Sequence, residues 1–431
     1  MRFTDDNSVI AAAFCRAILV GIEKERDGGA RSMDELAALA EAVGAEVAGI
    51  LPQVRETPDR RTYIGKGKLD ELAELCASME ADTVICNDEL SGIQLRNLED
   101  RLGLRVIDRT ILILDIFAAR AGSREGKLQV ELAQLRYRLP RLTGFGKALS
   151  SQGGGIGTRG PGEKKLETDR RHIQSRMDEI KKELAEAAAH RQVQRARRKK
   201  SGLPLVALVG YTNAGKSAVM NHILRATENG DKAVFEKDML FATLDTYRRR
   251  VCMRDNKEFI LVDTVGFVSK LPHSLVKAFR ATLEEVAEAD LLVHVVDASR
   301  ADCDFQTDVV SEVLAELGAS GNDRITAYNK ADLIGDPARL LHAPPGVLPV
   351  SATRGDNMDK LLAAIESAIF RDLRSVRLLI PYDRGDIVSY LSEKTPVSER
   401  AYTEEGTLVA TKLREADYRR LEPYALRSGD A

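Results

Sequence analysis

Short apolar runs alternate with amphipathic stretches in two regions of the chain, residues 1–120 and residues 203–370. In the first region the runs lie at 17–21, 45–51 and 83–86. Runs of this length are typical of buried strands, and the stretches between them have the spacing of helices. Strands that alternate with helices predict a parallel sheet, so we expect both regions to be α/β domains.

Two helix starts in the first region carry the pattern of a capping box. Ser32 stands three residues before Glu35, and Ser91 stands three residues before Gln94. In such a box the two side chains satisfy backbone N–H groups of the first helical turn reciprocally. We therefore expect helices to begin at Ser32 and at Ser91.

The region between the two α/β domains has a different pattern. Two series of apolar side chains are spaced alternately by four and three residues: Leu128, Leu132, Leu135, Leu139 and Leu142, then Ile173, Met177, Ile180, Leu184 and Ala187. This spacing puts each series on one face of a helix. Two such helices with a connector predict an antiparallel hairpin. The connector, 143–162, contains eight glycines, and connectors of this length usually have a function.

The predicted fold class is therefore α/β and multidomain. We expect four domains: an N-terminal α/β domain (1–120), the helical hairpin with its glycine-rich tip (121–202), a second α/β domain (203–370) and a small C-terminal α+β domain (371–431). In the last domain, apolar runs at 376–380 and 407–410 predict strands around a helix at 386–391.

The 431 residues carry a formal net charge of -2, which excludes a basic coat over the whole surface. The charge is uneven, because residues 164–200 contain 13 Lys and Arg against 6 Asp and Glu, a balance of +7. A long basic arm with a glycine-rich tip suits a crowded anionic target such as RNA. A solvated helix face that ends in a basic linker explains the same charge equally well.

Cysteine usage and hydropathy indicate the compartment. The five cysteines, at 15, 76, 86, 252 and 303, have no spacing that suits a disulfide scaffold or a zinc site. Acidic residues precede the first apolar stretch, 9–21, whereas a signal peptide begins with basic ones. No apolar run reaches the ~20 residues that span a bilayer. We expect a cytoplasmic monomer with no transmembrane segment.

The strand predicted at 205–209 is followed by a glycine-rich loop and a helix. The loop reads Gly210-Tyr211-Thr212-Asn213-Ala214-Gly215-Lys216-Ser217, which fits G-x-x-x-x-G-K-[ST] in its strand–loop–helix context. Backbone N–H groups of such a loop surround phosphate oxygens, and the helix N-terminus adds partial positive charge. We expect Lys216 to reach the β- and γ-phosphates and the Ser217 hydroxyl to bind Mg²⁺.

Three later motifs follow predicted strands: Asp263-Thr264-Val265-Gly266, Asn329-Lys330-Ala331-Asp332 and Ser351-Ala352-Thr353. Asp263 can hold Mg²⁺ through a water molecule, and the Gly266 N–H can sense the γ-phosphate. The Asp332 carboxylate can accept hydrogen bonds from N1–H and the 2-amino group of guanine, which adenine lacks. The Ala352 N–H is a candidate donor to guanine O6. The order of these motifs predicts a GTP-binding domain.

A candidate first switch lies between the phosphate-binding loop and Asp263. It reads Phe241-Ala242-Thr243-Leu244-Asp245. Thr243 is the candidate second hydroxyl ligand of Mg²⁺, ordered only when γ-phosphate is present. Taken alone, Thr243 is also compatible with an ordinary strand or turn residue.

With these residues in place, the chain resembles the HflX family, translation-factor-related GTPases of the Obg–HflX group. The resemblance covers nearly the whole chain and rests on motifs at 63–68, 109–117, 124–134, 153–163, 210–217, 241–245, 263–267, 329–332, 380–385 and 402–406. The glycine-rich segment 153–163 is the most specific of them. The resemblance implies a GTPase that binds the large ribosomal subunit and splits stalled ribosomes, with the hairpin tip reaching ribosomal RNA near the peptidyl-transferase centre.

Two stretches depart from the pattern of that family. The stretch 226–238, before the first switch, is longer than the usual loop. After Asp245 the family usually has Pro-Thr-Thr-Arg, where this chain has Thr246-Tyr247-Arg248-Arg249. Since Thr243 is retained, the departure concerns the geometry of the switch rather than its proposed ligand.

The residue that orients the attacking water is missing from its usual place. Ras-like GTPases have a Gln just after Asp-x-x-Gly, where this chain has Phe267. The remaining candidate catalytic residues are Lys216, Thr243, Gly266 and Asn213. In similar cation-stimulated GTPases an Asn at the position of Asn213 helps to bind K⁺, whose charge replaces an arginine finger. The alternative is that Asn213 only braces the loop. The cofactors expected are Mg²⁺ and, on the first interpretation, K⁺.

A second nucleotide site is conceivable at Gly65-Lys66-Gly67-Lys68, where a strand meets a helix. The resemblance also implies that members of the family handle ATP, with the N-terminal domain implicated, but a turn followed by a helix start is the simpler interpretation.

Two other functions stay open. One is a GTP-gated switch that docks on RNA with little turnover, and the other is ATP-dependent RNA remodelling.

Overall fold

The computed structural model describes residues 15–23, 29–142, 161–227, 247–253, 257–272, 285–334, 346–371, 373–395, 397–413 and 415–426. These residues form two compact units. The first unit takes in the described residues up to Ala196 and the segment that starts at Val265. The second takes in those from Arg197 to Thr264 and from 285 onward.

The first unit contains a parallel four-stranded sheet in the order β2-β1-β3-β4. Its strands are β1 (Arg16–Glu23), β2 (Glu46–Val54), β3 (Thr83–Cys86) and β4 (Arg105–Asp108). The helices between and after them are α1 (Gly29–Ala42), α2 (Lys66–Ser78), α3 (Gly92–Leu102) and α4 (Arg109–Arg120). All four residues of β3 are buried, which is why this strand reads as a continuous apolar run. The predicted α/β fold of this region is confirmed.

One of the two predicted capping boxes is present and the other is wrong. Ser91 precedes α3, accepts a hydrogen bond from the Gln94 N–H, and donates its own N–H to the Gln94 side chain. Ser32, in contrast, lies inside α1, because that helix begins at Gly29. The Ser32 hydroxyl accepts a hydrogen bond from the Asn87 amide instead. Because α1 begins three residues before Ser32, Ser32 cannot act as its N-cap.

The predicted helical hairpin is present as α5 (Arg124–Leu142) and α6 (Pro161–Ser201). Leu132, Met177 and Ile180 form its buried core, and further residues of the two series pack against them: Leu128, Leu135, Leu139, Ile173 and Leu184. Ion pairs of Arg176 with Glu131 and of Arg124 with Glu183 join the two helices in antiparallel order. Most of the glycine-rich connector, 143–160, lies outside the described residues.

A buried carboxylate ties α5 to the sheet of the first unit. Asp108, which ends β4 and is fully buried, accepts hydrogen bonds from the Tyr137 hydroxyl at 2.5 Å and from the Leu90 N–H at 2.9 Å. The Arg141 guanidinium lies 3.6 Å away. Burial raises the pKa of Asp108, and these hydrogen bonds oppose that rise. A buried carboxylate without partners would be costly, so the contacts of Asp108 with Tyr137 and Arg141 hold α5 against the sheet.

The second unit contains a six-stranded sheet in the order β10-β9-β8-β5-β7-β6, in which β6 is antiparallel to β7 and the other pairs are parallel. Its strands are β5 (Leu205–Val209), β6 (Tyr247–Cys252), β7 (Glu258–Asp263), β8 (Leu291–Asp297), β9 (Arg324–Asn329) and β10 (Val347–Pro349). Helices of this region include α7 (Lys216–Ala226), α8 (Cys303–Glu316) and α9 (Met358–Ile369). Every residue of β5 and β8 is buried, so the apolar runs predicted the inner strands correctly.

A smaller antiparallel sheet, in the order β11-β13-β12, completes the second unit. It consists of β11 (Arg374–Ile380), β12 (Val397–Thr403) and β13 (Gly406–Leu413), with α10 (Gly385–Lys394) and α11 (Glu415–Leu421). Leu378, Val409 and Leu391 belong to its core. The predicted strands and helix are present, and β12 was not predicted. Among the described residues no helix has the length and apolar content that a bilayer crossing requires.

Candidate functional site

The predicted phosphate-binding loop joins the end of β5 to the start of α7, and two of its glycines are required by space. Gly210 has φ +155° and Gly215 has φ +90°. A Cβ at Gly210 would overlap the carbonyl oxygen of Val295, and one at Gly215 would overlap the Asn329 amide nitrogen. Only glycine fits both positions, so the loop can pass this close to its neighbours.

Lys216 is a buried cation held inside that loop. Its side chain donates hydrogen bonds from Nζ to the carbonyl oxygens of Gly210 at 3.2 Å and Tyr211 at 2.9 Å. Burial lowers the pKa of Lys216 to about 8, although the nearby Asp263 carboxylate opposes the shift. A desolvated ammonium group at the N-terminus of a helix is a strong attractor for phosphate oxygens.

Ser217 and Asp263 bring a hydroxyl and a carboxylate together at the ends of neighbouring elements. The Ser217 hydroxyl donates to Asp263 Oδ2 at 2.6 Å, and Asp263 is fully buried. Thr264 fixes the backbone just after it by donating from its hydroxyl to the Leu208 carbonyl oxygen at 2.6 Å. Oxygen donors of this kind are those that Mg²⁺ prefers, so this pair fits the predicted metal. The predicted third residue, Thr243, lies outside the described residues, as does the rest of 241–245.

The Asn329 side chain connects three of the predicted motifs. Its Nδ2 donates to the Ala214 carbonyl oxygen at 2.9 Å, and its Oδ1 accepts the Ala352 N–H at 3.0 Å. The loops after β5, β9 and β10 are therefore held together by one amide group. The Ala352 N–H was predicted to donate to guanine O6, and in this arrangement it must share or exchange its bond with Asn329 to do so.

The Asp332 carboxylate is only partly satisfied. Its side chain is 9% exposed, and the buried Oδ1 has no hydrogen-bond partner among the described residues. Oδ2 lies 3.5 Å from the Arg354 guanidinium. A buried acceptor without a donor costs free energy, so Asp332 favours a ligand that brings N–H groups.

Two partners of the base motif, Asp297 and Arg354, were not predicted as site residues. Lys330 has a φ of +61° and forms an ion pair from Nζ to Asp297 Oδ2 at 2.8 Å. Asp297 ends β8, and a carboxylate at the end of a buried strand was the available signal. Arg354 follows the motif that includes Thr353, and its N–H donates to the Ser351 hydroxyl at 3.1 Å. No comparable pattern in the sequence indicates the pairing of Arg354 with Asp332.

Asn213 and Phe267 occupy the two positions on which the hydrolysis hypotheses depend. Asn213 is exposed and has φ +59°, a conformation that Asn tolerates better than most residues. Phe267 is 1% exposed, in agreement with the interpretation that it does not orient water. Of the residues before it, Val265 is also buried.

The loop at residues 65–68 has the geometry of the simpler interpretation. Gly65 precedes α2, and its N–H donates to Gln53 Oε1 at 2.9 Å. Lys68 forms an ion pair with Glu71 at 2.9 Å on the same helix. A turn followed by a helix start describes this segment.

Comparisons with known proteins agree with the sequence motifs. Four family models match successive parts of the chain: a GTP-binding GTPase N-terminal model (30–118), its middle region (120–198), a 50S ribosome-binding GTPase model (205–330) and an HflX C-terminal domain model (341–424). The GTPase HflX of Caldanaerobacter subterraneus subsp. tengcongensis is 49% identical, covering 92% of this chain and 91% of the relative. The GTPase HflX of Escherichia coli is 38% identical, covering 94% and 95%.

A solved structure is also similar. It is a GTP-binding protein from the hyperthermophilic archaeon Sulfolobus solfataricus in complex with GDP, 26% identical, with a TM-score of 0.42. The match covers 83% of this chain and 99% of that one. A TM-score below 0.5 does not establish a common arrangement, so the family assignment depends on the sequence relatives.

The depressed pKa of Lys216 predicts a pH-dependent affinity for phosphates. Above pH 8 the buried amine is neutral before the ligand arrives, so binding must take up a proton and the affinity for GDP should fall. We expect the fall to approach tenfold per pH unit between about pH 8 and 9.5. Fluorescence titration across about pH 7 to 9.5 measures it. Guanosine, which has no phosphate, is the control for titration of the base, and equal pH slopes for GDP and guanosine would contradict the prediction.

Proposed function

The chain belongs to the HflX family of GTPases, and from that premise we propose a Mg²⁺-dependent GTPase that binds the large ribosomal subunit and splits or rescues stalled ribosomes. Membership makes the chain a GTP-hydrolysing enzyme. The observation that carries the proposal is the meeting of three motif loops around Asn329. A buried cation suited to phosphates and a buried acceptor suited to guanine thus lie in the segments that follow β5 and β9 of one sheet.

We propose that the nucleotide lies along the ends of β5, β7, β9 and β10. The loop from Gly210 to Ser217 would surround the phosphates, with Lys216 on the β- and γ-phosphates. Asp332 would accept the guanine N–H groups through its free Oδ1, and Ala352 would donate to O6. The Lys330 stem would cover the base while Asp297 holds its ammonium group. Adenine would leave Asp332 without a donor, which disfavours ATP at this site.

We assign the magnesium ligands to Ser217 directly, to Asp263 through water, and to Thr243 once γ-phosphate is bound. The hydroxyl–carboxylate pair at 2.6 Å supports the first two assignments. The ion supplies charge neutralisation for the transferring phosphate when it is bound. Ser217 and Asp263 orient the phosphate-binding loop and the start of the Asp-x-x-Gly segment toward each other.

We propose that hydrolysis uses no glutamine after Asp-x-x-Gly, since the buried Phe267 stands at that place. Lys216 and the Gly266 N–H would stabilise the charge that develops on the phosphate oxygens.

The basic hairpin, with its balance of +7 over 164–200, would bind ribosomal RNA through the tip at 143–162. The predicted division into four domains, a cytoplasmic location and a monomeric state are parts of this proposal.

A second candidate function is a GTP-gated switch with little turnover. The buried Phe267 favours it, because an apolar side chain at the usual position of the glutamine cannot orient water. ATP-dependent remodelling through residues 65–68 has less support, because the Gly65 N–H is already bonded to Gln53. ATP binding to the full chain in the presence of excess GDP would be its test.

Asn213 gives a test of the potassium hypothesis. Its side chain is exposed at the loop that holds Lys216, so its amide oxygen is accessible to a cation. We expect GTP turnover to be several-fold faster in KCl than in NaCl and the difference to disappear in Asn213→Ala. Equal rates of the unmodified chain in the two salts would leave Asn213 with a bracing role.

Stimulation by ribosomal subunits tests the enzyme against the switch. We expect purified large subunits to raise GTP turnover of the full chain at least tenfold and small subunits to leave it unchanged. Charge reversal on the exposed face of α6, Lys182→Glu, should weaken the stimulation at low salt, because it puts a negative charge on the arm that we propose binds RNA phosphates. The matched control is Lys360→Glu on α9, which is exposed in the other unit. The proposal would be contradicted if large subunits left GTP turnover unchanged, or if both variants lost the same share of the stimulation.

A further inference from the structure

Ser269, three residues after Gly266, is held by two side chains from distant parts of the first unit. Its N–H donates to Glu35 Oε1 at 3.3 Å, and its hydroxyl donates to Glu35 Oε2. Its carbonyl oxygen accepts Arg109 Nη2 at 3.0 Å, and the same nitrogen lies 3.2 Å from its hydroxyl. The backbone donor, the backbone acceptor and the side chain of Ser269 are therefore all engaged.

The two side chains that hold Ser269 are a buried ion pair. Arg109 Nη2 lies 2.6 Å from Glu35 Oε2, with side-chain exposures of 2% and 13%. Arg109 also donates from Nη1 to the Asn87 amide oxygen at 2.9 Å. Burying two charges is costly unless each has good partners, and Ser269 supplies several of them. Arg109 and Glu35 therefore favour one position of this segment strongly.

The residues on either side of Ser269 are fixed as well. Phe267 and Val268 are each 1% exposed. Lys270 has φ +52° and forms an ion pair with Asp88 at 2.7 Å. Three peptide units span at most about 10 Å, and both intervening residues are packed, so the position of Gly266 follows that of Ser269.

We propose that Glu35 and Arg109 are positioning residues of the GTPase reaction, which act through Ser269 on the backbone N–H of Gly266. The inference rests on the proposed role of Gly266 as the group that contacts the γ-phosphate. A segment that is already ordered loses less entropy when GTP binds, so the pair favours GTP over GDP.

The variant Ser269→Ala tests this without leaving a buried charge alone, since the Glu35–Arg109 pair stays intact. It removes the hydroxyl contacts and loosens the segment. We expect the affinity of the full chain for a non-hydrolysable GTP analogue to fall about fivefold to tenfold, the affinity for GDP to stay the same, and kcat to fall. Fluorescence titration with labelled nucleotides and single-turnover hydrolysis measure the three quantities.

A matched control is Ser123→Ala. Ser123 lies in the same unit, and its hydroxyl accepts the Gly126 N–H at 2.9 Å at the start of α5. Its loss removes a helix cap of α5. We expect its ratio of GTP-analogue to GDP affinity to equal that of the unmodified chain. If Ser269→Ala shifts the ratio no more than Ser123→Ala, or weakens GDP equally, the positioning role is wrong.

Gly266→Pro removes the backbone N–H that is assigned to the γ-phosphate, so it separates this inference from the proposed function. If Gly266→Pro leaves the ratio unchanged, the assigned contact of Gly266 with γ-phosphate fails, and the inference fails with it. If Gly266→Pro lowers the ratio while Ser269→Ala does not, the assigned contact stands and Glu35 and Arg109 are only structural. A fall in both variants, with GDP affinity retained, supports the inference.

Discussion

The Asn329 amide is the contact on which the candidate site depends. A parallel sheet brings the carboxyl ends of its strands to one edge, but it does not fix the loops that follow them. Asn329 does so by donating to Ala214 and accepting from Ala352, with both bonds buried. The consequence is visible at Gly215, where any Cβ would overlap the amide nitrogen. A glycine at position 215 and an asparagine at the end of β9 thus meet one steric and hydrogen-bonding requirement.

The site also carries two groups whose free energy is unfavourable until a ligand arrives. Lys216 has lost its hydration and has a pKa lowered to about 8. Asp332 has a buried oxygen that no described residue satisfies. In the proposed binding mode, phosphate would restore the polar contacts that Lys216 lacks, and guanine would supply the hydrogen-bond donors that Asp332 lacks. These groups lie at opposite ends of one nucleotide, so a single molecule would satisfy both residues.

Sequence pattern predicted those parts of the molecule that local spacing determines. Apolar runs located the inner strands, and the four-three spacing located the hairpin core around Ile180. The edge strands β6 and β12 were missed, because β6 reads Tyr-Arg-Arg-Arg and one side of an edge strand faces water. The predicted cap at Ser32 failed for a different reason. Glu35 is paired with Arg109, 74 residues away, and no local window contains that partner.

The candidate site also has parts that local spacing determines and parts that it does not. The loop from 210 to 217 and the motif from 329 to 332 could be located, because each depends on residues at fixed short spacing. The pairs Lys330–Asp297 and Arg354–Asp332 could not, since each joins residues from different loops. Long-range buried pairs are thus what sequence pattern leaves undetermined.

The basic charge is concentrated on one arm of the hairpin. The segment 164–200 carries +7 in a chain whose net charge is -2, so the remainder is acidic. Such a distribution suits one arm that binds RNA and a body that does not.

Co-sedimentation of the full chain with separated ribosomal subunits, in GDP and in a non-hydrolysable GTP analogue, tests the proposed GTP-dependent binding to the large subunit most directly. We expect binding to the large subunit with the analogue and little binding with GDP. Equal binding in both nucleotides, or binding to the small subunit, would contradict a GTP-dependent action on the large subunit.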